Sequence, residues 1–121
     1  MRNISFALTT EQVRSRQKTV TRRMGWAALK QGELLSAVVK SQGLKKGEKV
    51  ERITTIRVRD VRREFLDRLA ADLDYGFAET TREGFPEGHP WHWPSEFIAF
   101  FCRSHKCQPT DLVTRIEYEY V

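Results

Sequence analysis

Cysteine is scarce in this 121-residue chain: Cys102 and Cys107 are the only two. Two thiols make no disulfide framework, so a reducing, cytoplasmic compartment is the expectation. No run of 18 apolar residues occurs, which leaves no membrane span. The stretch Met1-Arg2-Asn3-Ile4-Ser5 lacks the apolar core of a secretory signal. There is no repeat, no low-complexity tract and no Pro/Ser-rich linker. Nor is there a glycine-rich phosphate loop, a Ser-His-Asp arrangement or a His-Glu-x-x-His motif. These absences exclude membrane, secreted disulfide-rich and nucleotide-loop classes.

What is present fits one domain over residues 1–121, with 40% apolar and 31% charged side chains. A chain of this length buries roughly two-thirds of its unfolded surface, enough for a core without disulfides or metal. Charge is divided unevenly. Residues 1–63 carry 16 basic and 5 acidic side chains, a net of +11, and residues 64–121 carry 5 and 11, a net of −6. Such polarity within one domain is the footprint of a nucleic-acid binder, or else of two solvated faces of opposite sign. The cations cluster at Arg14 to Arg23, at Lys40 to Lys49, and at Arg52 to Arg63.

Local patterning predicts the elements. Ile4 to Leu8 reads as a strand, and Thr9 with Gln12 has the spacing of a capping box opening a helix of about two turns. Thr19-Val20-Thr21 is β-branched, so the chain extends there. Leu34 to Val39 reads as a partly buried strand, followed by a cationic loop around Lys45 and Lys46 between Gly43 and Gly47. Val50 to Val61 is the longest strand. Ile56 and Val58 alternate with Arg57 and Arg59, and Val61 falls out of phase, which predicts a bulge near Asp60. Phe65, Leu66, Leu69, Ala70 and Leu73 make a helical stripe that ends before Asp74 and Gly76. Thr80 to Pro94 reads as loop, and Phe97, Phe100 and Phe101 mark a helix starting at Pro94 or Ser95. Ile116, Tyr118 and Tyr120 close the chain as a half-buried strand. Short strands with three small helices and no βαβ rhythm predict an α+β domain with a curled sheet.

The chemistry-bearing stretch is Lys18-Thr19-Val20-Thr21-Arg22-Arg23. Two hydroxyls among several cations can hold a phosphate or lower the cost of forming an alkoxide. A turn at the helix exit can bring Lys18 beside Thr21. Lys18-x-x-Thr21-x-Arg23 resembles the signature of ASCH domains, Gly-x-Lys-x-x-Thr-x-Arg, which follows a strand and short helix. Arg82-Glu83-Gly84-Phe85, Glu96-Phe97 through Phe101-Cys102, and Val113 to Glu117 are also similar to the family's C-terminal half. One residue departs from the pattern: Arg16 stands where the family has glycine.

The resemblance implies a PUA-like small β-barrel with peripheral helices, and a cleft for RNA, single-stranded nucleic acid or a modified nucleoside. No cofactor and no metal are expected. One ASCH type removes the acyl group from N-acetylated cytidine; others are nucleases. Carried over by position, Thr21 is the nucleophile, Lys18 activates it and Glu83 serves as acid/base. The expected nucleic-acid contacts are Arg16, Lys18, Thr21, Arg22 and Arg23, with Lys45, Lys46, Arg57 and Arg59 along the phosphate path.

Two further groups stay open. Trp91-His92-Trp93, with Phe85 and Trp26, can stack bases or staple a long loop. Cys102-x-x-His105-x-Cys107, with His89 and His92, has zinc-ligating residue types at a spacing that matches no standard finger.

Overall fold

The computed structural model describes all 121 residues. In chain order the elements are β1 (Arg2–Ser5), α1 (Thr10–Arg14), β2 (Val20–Arg23), β3 (Leu34–Val38), β4 (Arg52–Phe65), α2 (Arg68–Ala71), α3 (Leu73–Arg82), a 3₁₀ turn (Pro90–His92), α4 (Pro94–His105) and β5 (Leu112–Tyr120). The five strands form one sheet in the order β1-β3-β4-β5-β2. β1 lies parallel to β3, and every other pair is antiparallel. The α+β architecture is as expected, but the barrel is an open half: β1 and β2 are the two edges and do not pair.

β4 is long enough to serve both neighbours. Its first residues pair with β3, and Ile56 onward pairs with β5. The register shifts between Val58 and Asp60, the bulge expected from the phase slip, and this sets Val61 opposite Ile116. Ile56 and Val58 face a core with Ile4, Phe6, Val13, Leu35 and Tyr118. A second core joins Leu66, Leu69, Phe85, Phe97, Phe101 and Val113 beneath the helices. Complete burial of each such side chain contributes roughly 1.5–3 kcal/mol.

Three local expectations are corrected. No side-chain cap bond forms at α1; Thr10 Oγ1 instead donates to the Phe6 carbonyl at 2.8 Å, tying the helix to the end of β1. The stripe from Phe65 to Leu73 is not one helix. Phe65 ends β4 and Leu73 is exposed, while the chain breaks at Asp72 and restarts as α3. Asp72 caps that restart by accepting from the Tyr75 amide at 3.2 Å. Gly76 is a packing residue rather than a stop. A Cβ there would lie 2.0 Å from the Leu69 carbonyl oxygen and 2.8 Å from the Pro94 ring. The loop therefore begins at Glu83, not at Thr80. No helix is long and apolar enough to cross a membrane.

Candidate active site

The segment between α1 and β2 is held from three sides. The Lys18 amide donates to the Gln12 carbonyl, the Thr19 amide to the Arg82 carbonyl at 2.8 Å, and the Tyr118 amide to the Thr19 carbonyl at 3.0 Å. The Tyr120 hydroxyl donates to the Lys18 carbonyl at 2.5 Å. This anchoring takes Lys18 out of strand phase, as a turn at the helix exit would. Glu83 caps α3, and Gly84 follows at φ +102°, where a Cβ would meet Gln12 at 2.7 Å and Lys18 at 3.3 Å. Only glycine lets the Glu83 turn approach so closely.

Lys18, Thr21, Arg23 and Glu83 line one hollow of about 200 Å³. Its position is set by the open barrel: Ser5 to Thr9 after one sheet edge form one wall, and β2, the other edge, forms the floor. Phe85, Phe97, Phe100 and Phe101 supply an apolar wall. The volume is below the roughly 300–1,000 Å³ of pockets for drug-sized ligands, which suits one small planar group and not a strand.

Lys18 is 2% exposed and Glu83 3%. Lys18 Nζ donates to Glu83 Oε1 at 2.7 Å and to the Glu83 carbonyl at 2.9 Å. Burial pulls the Lys18 ammonium below its ordinary value of 10.5; the Glu83 charge and hydrogen bond oppose this, while Arg23 and Arg22 add to it. Thr21 is also buried, and its Oγ1 accepts from Arg23 Nε at 3.1 Å. The hydroxyl oxygen thus already faces a positive charge.

Beside the hollow lies a balanced ionic cluster. β2 and β5 set Arg22 directly opposite Arg115, a like-charge pair that needs compensation. Glu79, fully buried on α3, supplies it. Its carboxylate accepts from Arg22 Nη2 at 2.5 Å, from Arg115 Nη2 at 3.1 Å and from Arg115 Nε. Arg22 also donates to Glu64 at 2.7 Å and to Glu83 Oε2 at 2.9 Å. Burial alone would raise the Glu79 carboxyl, but the Arg115 hydrogen bond and the Arg22 charge hold it well below the carboxylate range. Three buried cations (Lys18, Arg22 and Arg115) meet three buried carboxylates (Glu64, Glu79 and Glu83).

Arg23 is left over. It makes no salt bridge, its guanidinium lies 4.9 Å from the Phe6 ring centre, and burial pushes it down to about 10 against the opposing Glu83 and Tyr118 charges. The remaining expected contacts lie elsewhere. Arg16 reaches over Tyr120 at 5.2 Å. Arg57 and Arg59 are exposed and face Glu119 at 3.3 and 3.8 Å. Lys45 and Lys46 are exposed in the β3–β4 loop. None of these five lines the hollow. The sequence reading missed Glu64, Glu79 and Arg115. Glu79 and Glu83 are four apart on one helical face, a signal hidden when the helix is ended too early.

Trp91 stacks on Phe100 at 3.7 Å and meets Phe85 edge-on, so it anchors the loop, while Trp93 is exposed. Cys102 and Cys107 sulfurs are 3.7 Å apart. His105 stacks on Phe101, whereas His89 and His92 pack on Phe85 and Phe77. No three His, Cys, Asp or Glu side chains converge as a metal-holding group.

An open five-stranded half-barrel with this helix order is an ASCH-like fold. The ASCH domain of Lactobacillus crispatus JV V101 superposes with a TM-score of 0.61 at 15% identity, over 98% of this chain and 78% of that one. A DUF984 protein of Enterococcus faecalis V583 gives 0.59 at 16% identity, over 99% and 79%. At these identities the likeness carries the fold. No protein-family profile and no curated protein matches the sequence.

Proposed function

We propose that this protein is a small amidohydrolase that removes the acyl group from an N-acylated nucleobase such as that of N-acetylated cytidine. The observation that carries the reading is the buried Lys18–Glu83 pair in the same hollow as the Thr21 hydroxyl. The aromatic wall suits a planar base, and the ionic floor suits its amide. Burial lowers the Lys18 ammonium's hold on its proton, which readies the amine to accept one from a neighbouring hydroxyl. Thr21 Oγ1 attacks the acyl carbon and its proton passes to Lys18. Arg23, with no carboxylate to neutralise it, stabilises the developing negative charge. The pair then protonates the leaving exocyclic nitrogen, the C–N bond breaks, and the acyl group remains as an ester on Thr21. Water, deprotonated by the same pair, cleaves that ester and restores the hydroxyl. Amide and water become amine and carboxylic acid.

The test is release of cytidine from N-acetylated cytidine. Wild type turns over; Thr21→Ala falls to background, and Glu83→Gln loses about 10²–10⁴-fold, the range of a removed acid/base. Undiminished turnover in Thr21→Ala removes the reading. A second reading, RNA binding without turnover, is favoured by the exposed Lys45 and Lys46 in the β3–β4 loop and by the exposed Arg57 and Arg59 on β4. It predicts affinity for an RNA oligomer that falls steeply with salt, with a shallower slope in Lys45→Ala/Lys46→Ala.

A further inference from the structure

A second hollow adjoins the first. It measures about 420 Å³ and shares Ser5, Ala7 and Arg23 with it, so the two lie side by side about these three residues. Its composition differs sharply. The first is walled by phenylalanines and floored by a neutralised ion pair; the second is lined by Asn3, Lys40, Ser41, Gln42, Arg23 and the edge of Trp26. No aspartate or glutamate lines it. Lys40 is held only loosely, 3.8 Å from an exposed Glu48, a pair worth little against solvent. Arg23 has no carboxylate at all among its salt-bridge partners.

Trp26 stands in the left-handed region at φ +70°, a conformation that strains the backbone of a bulky residue. The Arg2 guanidinium, itself tied to Glu33 at 3.0 Å, lies over its ring at 5.0 Å. The indole is thereby fixed as a rigid wall of this hollow. Two cations with free donors and four neutral polar side chains, no acid, and three lining residues shared with a base-sized cleft describe a seat for an anion carried by the same ligand.

We propose that this second hollow binds the phosphate of a nucleotide whose base occupies the first, so that the substrate is a phosphorylated nucleoside and not a free one. Lys40 and Arg23 supply the charge, and Ser41 and Gln42 supply neutral hydrogen bonds. This rests on the base-cleft reading above. The phosphate is either that of a free nucleotide or that of an RNA strand, and the chemistry at the hollow is the same.

Calorimetric titration of Thr21→Ala, which cannot turn over, with N-acetylated cytidine and with its 5′- and 3′-monophosphates tests it. One of the phosphates binds at least about tenfold more tightly than the nucleoside, the gain of one charge-assisted contact. Lys40→Ala, added to that protein at an exposed loop position, reduces the advantage to about twofold or less. A trinucleotide that matches the favoured monophosphate assigns the phosphate to a strand; one that binds tenfold worse assigns it to a free nucleotide. Equal affinity for nucleoside and both phosphates, or an advantage that survives Lys40→Ala, overturns the inference and leaves the base-cleft reading standing. If neither nucleoside nor nucleotide binds, the base-cleft reading itself falls, and this inference with it.

Discussion

Arg22 and Arg23 are consecutive residues of one strand, and their surroundings are opposite. Arg22 is enclosed by Glu64, Glu79 and Glu83, and its guanidinium is held above its ordinary value because those charges outweigh its burial. Arg23 turns to the other face of β2, meets a phenylalanine and a threonine hydroxyl, and makes no salt bridge. Strand alternation alone produces this division. One arginine fastens the half-barrel to α3, and the next lines the hollow without a salt bridge. A basic motif can therefore contain a paired cation and an unpaired one side by side, and composition does not tell them apart.

The contrast breaks most visibly in stability. Arg22→Ala leaves Glu64, Glu79 and Glu83 short of a partner in the interior, and losing one member of a buried ionic group costs about 3–5 kcal/mol. Arg23→Ala removes a cation–π contact and one hydrogen bond, and costs about 1–2 kcal/mol. Urea unfolding of both variants measures the difference. Equal losses would mean that the two arginines are equivalent and that the cluster is not the fastening described.

Acid sharpens the same comparison. The Glu79 carboxyl is held below its ordinary 4.5 in the folded protein. Its contribution is therefore fully present above that value and is lost as pH falls through the lowered one, because the unfolded chain takes up the proton first. Unfolding free energy followed from pH 6 to pH 3 should drop in wild type. Glu79→Gln starts lower and drops less over the same range. A parallel decline in the two proteins would show that Glu79 is not the group responsible.

Much of this was readable from the residues. Alternation of Ile56 and Val58 with Arg57 and Arg59, the slip at Asp60, and the phenylalanine spacing after Pro94 are local signals, and local geometry obeys them. The motif residues Lys18, Thr21 and Arg23 do line one hollow together with Glu83. What could not be read is which cations find acids. Arg22 meets Glu64 at a separation of 42 residues and Glu79 at 57, and no local pattern encodes such pairings. Gly76 misled for a definite reason: the residue type that ends helices also lets two helices cross closely, and nothing local marks Asp72 as the cap of the next one.

Arg16 shows the smallest effect. It occupies the left-handed region at φ +63° where the ASCH signature has glycine, so the glycine of that signature answers a backbone requirement at this turn. Arg16→Gly relieves about 1 kcal/mol of strain but loses a cation–π contact of similar size with Tyr120. Net stability should shift by less than about 1 kcal/mol in thermal or urea unfolding. A loss of several kcal/mol would mean that the Arg16 side chain, and not the backbone, holds the turn.

The most direct test of the account is mass spectrometry on rapidly quenched mixtures of the protein with N-acetylated cytidine, after digestion. The account predicts one acetyl group on the peptide that contains Thr21, appearing before cytidine accumulates and absent from Thr21→Ala. Cytidine formed at the wild-type rate by Thr21→Ala, with no acetylated peptide at any quench time, would contradict it.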